Sequence, residues 1–147
     1  MRKQRPKVFL DTSALIVGIA SSKGAARAVL QLAEIGLIEV IVSRQVIVET
    51  DRNIEEKLPE MLNEYREFIE LLAPVLINDP RQKDVSKYLK VINLDDAPIL
   101  ASAVTSGADF LVTWDKKHFI SKNIRIHSSL KIVTPGEFLK YFKEYVE

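Results

Sequence analysis

Lys7-Val8-Phe9-Leu10-Asp11-Thr12-Ser13 is the stretch on which the fold turns. Three apolar residues in succession after Lys7 predict a short buried strand over 7–10. Asp, Thr and Ser follow at once, and each of these side chains can accept a hydrogen bond from the first N–H groups of a helix. The chain therefore leaves a strand and starts a helix with no connecting loop.

Downstream the same alternation repeats. Helices are predicted over 14–20 and 23–35. In the second, Ala26, Val29, Leu30 and Ala33 share one face and Gly36 supplies the stop. Residues 37–42 (LIEVIV) are a second strand. Ser43 caps a helix running through Val46, Ile47, Glu49 and Thr50 toward Leu58, and Pro59 opens or interrupts another over 60–72. A third strand, at an edge, is predicted over 74–78, and a polar helix over 81–90. A helix over 95–106 carries the stripe Ile99, Leu100, Ala103 and Val104, with Gly107 beyond its end. Strand 109–112 (DFLV) leads into Thr113-Trp114-Asp115, and a strand over 131–133 precedes a helix over 135–145. Strands and helices alternate through connections too long for hairpins. That order predicts an α/β domain over residues 1–147: a mainly parallel sheet with helices on both faces.

Composition narrows the chemistry. The 147 residues include no cysteine, which removes disulfides, zinc–thiolate centres and thiol nucleophiles together. The two histidines, His118 and His127, do not make a histidine-rich metal centre. A metal here is held by oxygen, which favours Mg²⁺, Mn²⁺ or Ca²⁺. Net charge is +1, but residues 1–7 carry four basic residues and 116–131 carry five, neither stretch with an acid. These stretches are solvated surface or nucleic-acid contacts. No apolar run is long enough to span a bilayer, and the basic start lacks the apolar core of a secretion signal, so the cytoplasm is the expected location.

In parallel α/β sheets, sites form beyond the carboxyl ends of the strands. Asp11 and Asp115 both follow strands, and Glu49 and Asp96 sit near the strand-proximal ends of helices. Four carboxylates from distant segments can thus meet at one rim. Two unit charges about 4 Å apart repel by roughly 4 kcal/mol at an effective dielectric near 20. A divalent ion removes that repulsion, polarises a phosphoryl oxygen and acidifies a bound water. Each acid also has a structural reading. Asp11 can cap the helix after it, Glu49 can be a solvated helix residue, and Asp115 a turn residue. Capping of the helix at Pro98 is assigned to Asp95, which leaves Asp96 for the site.

Taken together, Val8-Phe9-Leu10-Asp11-Thr12-Ser13, Glu49, residues 96–103 (DAPILASA) and residues 107–115 (GADFLVTWD) resemble the PIN domain family in order and spacing along almost the whole chain. The resemblance implies a Rossmann-like three-layer α/β/α sandwich with an acidic nuclease site at its strand ends. In it Asp11, Asp96 and Asp115 hold Mg²⁺ or Mn²⁺, Glu49 completes the set, and Thr12, Ser13 and Thr113 support it. The resemblance further implies a ribonuclease acting on RNA phosphodiester bonds, similar to VapC toxins, with an antitoxin-like protein inhibitor and a homodimer. Where some members have a further acid beyond Asp115, this chain has Lys116, Lys117 and His118. Lys116, Lys117 and Arg125 are the candidate RNA contacts. His118 is read as a surface or packing residue, and Trp114 as packing, with stacking on an RNA base as its alternative.

Three rivals remain. A non-catalytic RNA-binding or protein-interaction domain of the same fold predicts binding without metal-dependent turnover. A receiver domain would want an acidic pair at its first strand. A haloacid-dehalogenase enzyme would want a second Asp where Ser13 stands.

Overall fold

The computed structural model describes residues 5–89, 92–119 and 129–146. At its centre lies β1 (Lys7–Leu10), with Val8, Phe9 and Leu10 all buried. Successive side chains of a strand point to opposite faces, so this strand is covered on both. β2 (Glu39–Ser43) and β4 (Phe110–Val112) flank it, and β3 (Val75–Ile77) and β5 (Lys131–Val133) form the edges. The order is β3-β2-β1-β4-β5, and every pairing is parallel, with Val8 opposite Val40 on one side and Phe110 on the other. The chain winds outward from β1 to β3, then crosses back to β4. The sheet therefore changes direction between β1 and β4, where open α/β sheets form their crevices.

The helices are α1 (Thr12–Ala20), α2 (Ala25–Glu34), α3 (Arg44–Lys57), α4 (Leu62–Leu72), α5 (Gln82–Ser86), α6 (Ala97–Thr105), α7 (Lys116–Phe119) and α8 (Pro135–Val146). α1 packs on α2 and α3, α2 on α8, and α6 on β4. The first contact is close enough to dictate a residue. A Cβ on Gly18 would stand 2.6 Å from Leu30 Cδ1 and 3.2 Å from the Ala26 carbonyl oxygen, so a larger residue would push the buried Leu30 side chain aside. Arg27 of α2 then donates to the Gly18 and Ile19 carbonyls near the end of α1 and lies 4.5 Å from the centre of the Phe68 ring. These contacts join three helices around one side chain.

The expected α/β architecture is what the chain adopts, with local differences. The helix expected from residue 60 begins as a 3-10 turn, Pro59–Met61, before α4. The polar helix expected over 81–90 shortens to α5. α7 was not foreseen, because four residues hold too little periodicity to signal a helix. No single helix among the described residues is long and apolar enough to cross a membrane.

Candidate functional site

Asp11 stands where β1 ends and α1 begins. Its backbone N–H donates to the Val112 carbonyl at 3.3 Å, so the segment still lies beside β4. The side chain is only 4% exposed, and Oδ1 accepts the Ala14 N–H at 2.9 Å and the Ser13 hydroxyl at 2.7 Å. Oδ2 accepts the Thr113 hydroxyl. The capping read in the sequence is made, since Asp11 is the N-cap of α1, and the residue also lies at the sheet's switch point, where a site would form. Burial pushes its carboxyl above the usual range. The hydrogen bonds from Thr113, Ala14 and Ser13 oppose that shift, and the charge on Asp115 adds to it.

Thr113 is fully buried, and its hydroxyl serves two acids at once. It donates to Asp11 and accepts the Asp115 N–H at 2.9 Å. Ser13 Oγ does the parallel work, donating to Asp11 and accepting the Trp114 N–H at 3.1 Å. A hydroxyl has one hydrogen. Both hydrogens are directed at Asp11, so the 3.5 Å approach of Ser13 Oγ to Thr113 Oγ1 is a contact of acceptors. Together the two hydroxyls bind the 113–115 turn to Asp11.

Glu49 lies on α3, which Ser43 caps by accepting the Val46 N–H at 3.3 Å. Its two oxygens accept from Thr12 Oγ1 and Gln45 Nε2, both at 2.9 Å. Gln45 also donates to the Asp95 carbonyl at 3.3 Å, which brings the start of α6 to α3. Asp96 occupies the N-cap position of α6 without a side-chain capping bond, and its Oδ2 accepts from Asn93 Nδ2 at 2.7 Å. Asn93 Oδ1 accepts the N–H groups of Asp95 and Asp96 at 3.0 and 2.9 Å. The capping expected of Asp95 is therefore not made. Asn93 ties the turn instead, because its amide offers both a donor and an acceptor.

Asp115 is thus tied to Asp11 through Thr113, and Gln45 ties Glu49 to the turn that carries Asp96. Among the described residues, no three of Asp, Glu, His or Cys stand close enough to enclose an ion as placed. Hydroxyls and amides hold the carboxylates, and among the described residues no Lys or Arg salt bridge reaches Asp11, Glu49 or Asp115. The donor set is all oxygen and anionic, with one carboxylate buried, which suits a hard divalent cation. Gln45 and Asn93 were missed in the sequence. Their signals were local: an amide one helical turn before Glu49, and an Asn three residues before Asp96.

The basic and aromatic candidates divide differently. Lys116 is paired, its Nζ lying 2.9 Å from both carboxylate oxygens of Glu137. Glu137 also closes a capping box on α8, accepting the Thr134 N–H at 3.0 Å while its own N–H donates to Thr134 Oγ1 at 3.2 Å. Lys117 is exposed, and Arg125 lies outside the described residues, as does the His118 side chain. Trp114 is 46% exposed, so packing does not account for it.

The Thr134 N–H and then Lys116 hold the Glu137 carboxyl below its usual range. A depressed carboxyl contributes stability above its unfolded pKa and loses it as pH falls through the folded value. Glu137→Gln is therefore expected to melt below wild type at neutral pH, with the gap closing well below pH ~4. The pair is largely exposed, so the gap is small. A pH series of thermal melts checks it, and a gap that persists in acid would show that charge is not its cause.

The sequence model of the PIN domain matches residues 7–117, a span that opens at β1 and includes Asp11, Glu49, Asp96 and Asp115. A comparison with curated proteins gives no match. Among solved structures, the chain is similar to one in the crystal structure of VapBC2 from Rickettsia felis bound to a DNA fragment from their promoter. The TM-score is 0.60 at 17% identity, over 86% of this chain and 98% of that one. At that identity the likeness speaks to the fold. With the acidic rim at the switch point and the family match over most of its length, this chain belongs to the PIN domain family, whose members are generally nucleases that use divalent metal ions.

Proposed function

We propose that the protein is an endoribonuclease that hydrolyses RNA phosphodiester bonds with Mg²⁺ or Mn²⁺ held by Asp11, Asp96 and Asp115. One observation carries the reading: a buried carboxylate, Asp11, is fixed by three donors and feels the charge of Asp115, and among the described residues no salt bridge reaches either. A bound divalent ion supplies charge neutralisation at the phosphoryl oxygens and an acidified water. The chain does the rest. Thr113 and Ser13 fix Asp11, so that oxygen donors are in place before the substrate arrives. Glu49 has one donor on each oxygen, and its remaining lone pairs orient the attacking water. Exposed Lys117 meets the backbone phosphates, and the Trp114 ring stacks on a base.

The similarity to a VapBC2 chain supports a further step, that the protein is the toxin of a toxin–antitoxin pair. The partner would be an antitoxin-like protein seated in the acidic groove, and the active form a cytoplasmic homodimer. The second reading, a non-catalytic RNA-binding or protein-interaction domain, draws on the lack, among the described residues, of three acids close enough to enclose an ion as placed.

Cleavage of a labelled single-stranded RNA pool with Mg²⁺, Mn²⁺ or EDTA separates the two. The nuclease reading expects metal-dependent cutting that Asp96→Asn lowers by about a hundredfold or more. Equal cutting by the variant would remove Asp96 from the site. RNA binding without turnover under any metal would establish the second reading.

A further inference from the structure

The sheet has a second end. Lys7, Phe110 and Lys131 begin β1, β4 and β5, and around them a groove opens on the edge opposite the acids. Two adjoining hollows form it. One, of about 270 Å³, is walled by Phe110, Phe138, Tyr141, Phe142 and Tyr145. The other, of about 490 Å³, is lined by Arg5, Lys7, Asp109, Ser129 and Lys131. We propose that this groove binds a nucleotide of single-stranded RNA, its base on the aromatic wall and its phosphate among Arg5, Lys7 and Lys131.

The aromatic wall is built and partly uncovered. Phe110 stacks on Phe138 with ring centres 5.0 Å apart and meets Tyr141 at 5.8 Å. Tyr141 remains 40% exposed and Tyr145 39%, so the core does not absorb their faces. Lys131 Nζ lies 4.7 Å from the Tyr141 ring centre, which puts a cation and a stacking surface side by side. Of the two carboxylates present, Asp109 accepts the Lys7 backbone N–H at 2.8 Å and Glu144 lies on the aromatic side. The three cations therefore outnumber the carboxylates.

A ligand that suits both walls has a flat ring joined to an anion. An apolar peptide would leave the excess of cations over carboxylates unanswered, and bare phosphate would make no use of the tyrosines. A nucleotide satisfies both, since stacking on aromatics is tolerant of sequence and the phosphate answers the charge. The proposal rests on the ribonuclease reading for the choice of RNA. The length of β1, roughly 13 Å at the usual rise, separates the groove from Asp11. One strand touching both ends is then gripped at a point where no bond is broken.

The test is binding without turnover: fluorescence anisotropy of a labelled oligouridine on the full chain in EDTA, across a salt series. Tyr141→Ala and Lys131→Glu are each expected to weaken binding roughly tenfold. Lys131→Glu should also flatten the dependence of log affinity on log salt by about one unit or more. Thermal melts run alongside, and Arg5→Glu, remote from the aromatic packing, repeats the charge test if either variant melts low. Unchanged affinity in all three variants, or no binding by wild type, would overturn the proposal. So would a loss in Tyr141→Ala alone, because the phosphate would then make no contact with Arg5 or Lys131. Cleavage with Mg²⁺ is read separately, so a chain that binds but does not cut refutes the nuclease and leaves the groove standing.

Discussion

Asp11→Asn is expected to lower RNA cleavage by about three orders of magnitude or more while leaving the metal-free protein as stable as wild type at neutral pH. The two halves of that result have one cause. The Asp11 carboxyl is raised above its usual range by burial, so the folded state holds its proton more tightly than the unfolded chain does. For such a group stability is present below the unfolded pKa and falls as pH rises through the folded value. Near neutrality the bare carboxylate works against the fold, and an amide removes that penalty. The amide also fits. Oδ1 still accepts from Ala14 and Ser13, while Nδ2 donates to Thr113 Oγ1, which has a lone pair beyond the one taken by the Asp115 N–H.

Metal reverses the comparison. At a hundredfold excess over its dissociation constant, a ligand bound only to the folded state adds about 2.7 kcal/mol. Mn²⁺ should therefore raise the melting temperature of wild type by several degrees and that of Asp11→Asn little or not at all. A variant that loses cutting and also melts far below wild type in EDTA would mean that Asp11 serves the fold and not the site.

The largest loss of stability is expected at Phe138. The side chain is fully buried, stacks on Phe110 and meets Phe142 edge-on with centres 6.1 Å apart. Phe138→Ala removes the ring that seats α8 on β4, β5 and α2. Truncations of this kind lose about 3–5 kcal/mol, from lost burial and from the cavity left behind. For a chain near this length each kcal/mol lowers the melting temperature by roughly 2–4 °C. The denaturant midpoint should fall with its slope unchanged. A change under about 1 kcal/mol would mean that the helix closes over the cavity. Because Glu137 on α8 holds Lys116, the residue after Asp115, the same substitution should loosen one side of the acidic rim.

What could be read in the sequence depended on how far the signal had to travel. The KVFL run followed by Asp11 announced a buried strand and the helix start after it, because a strand buried on both faces leaves an unbroken apolar record. Thr113 was legible from its place before Asp115. The capping at residues 93–96 was not, since two adjacent acids compete and local preference alone does not favour Asn93 over either. The Lys116–Glu137 pair joins segments that only the docking of α8 on β4 and β5 brings together. On α8, Phe138, Tyr141, Phe142 and Tyr145 repeat at the spacing of a core stripe, yet Phe138 is buried while both tyrosines stay in solvent. Periodicity tells which residues share a face, not how much of that face the neighbouring elements cover.

The winding order also bears on how the protein is made. The central strand β1 is made before the other four, but Val8 finds its partner Phe110 only after β2 and β3 have followed. Until then Asp11 lacks the Thr113 hydroxyl, and Asp115 does not yet exist. Contacts between residues so distant in sequence form late and slowly. The topology itself holds back the full set of hydrogen bonds on Asp11 until β4 has docked beside β1.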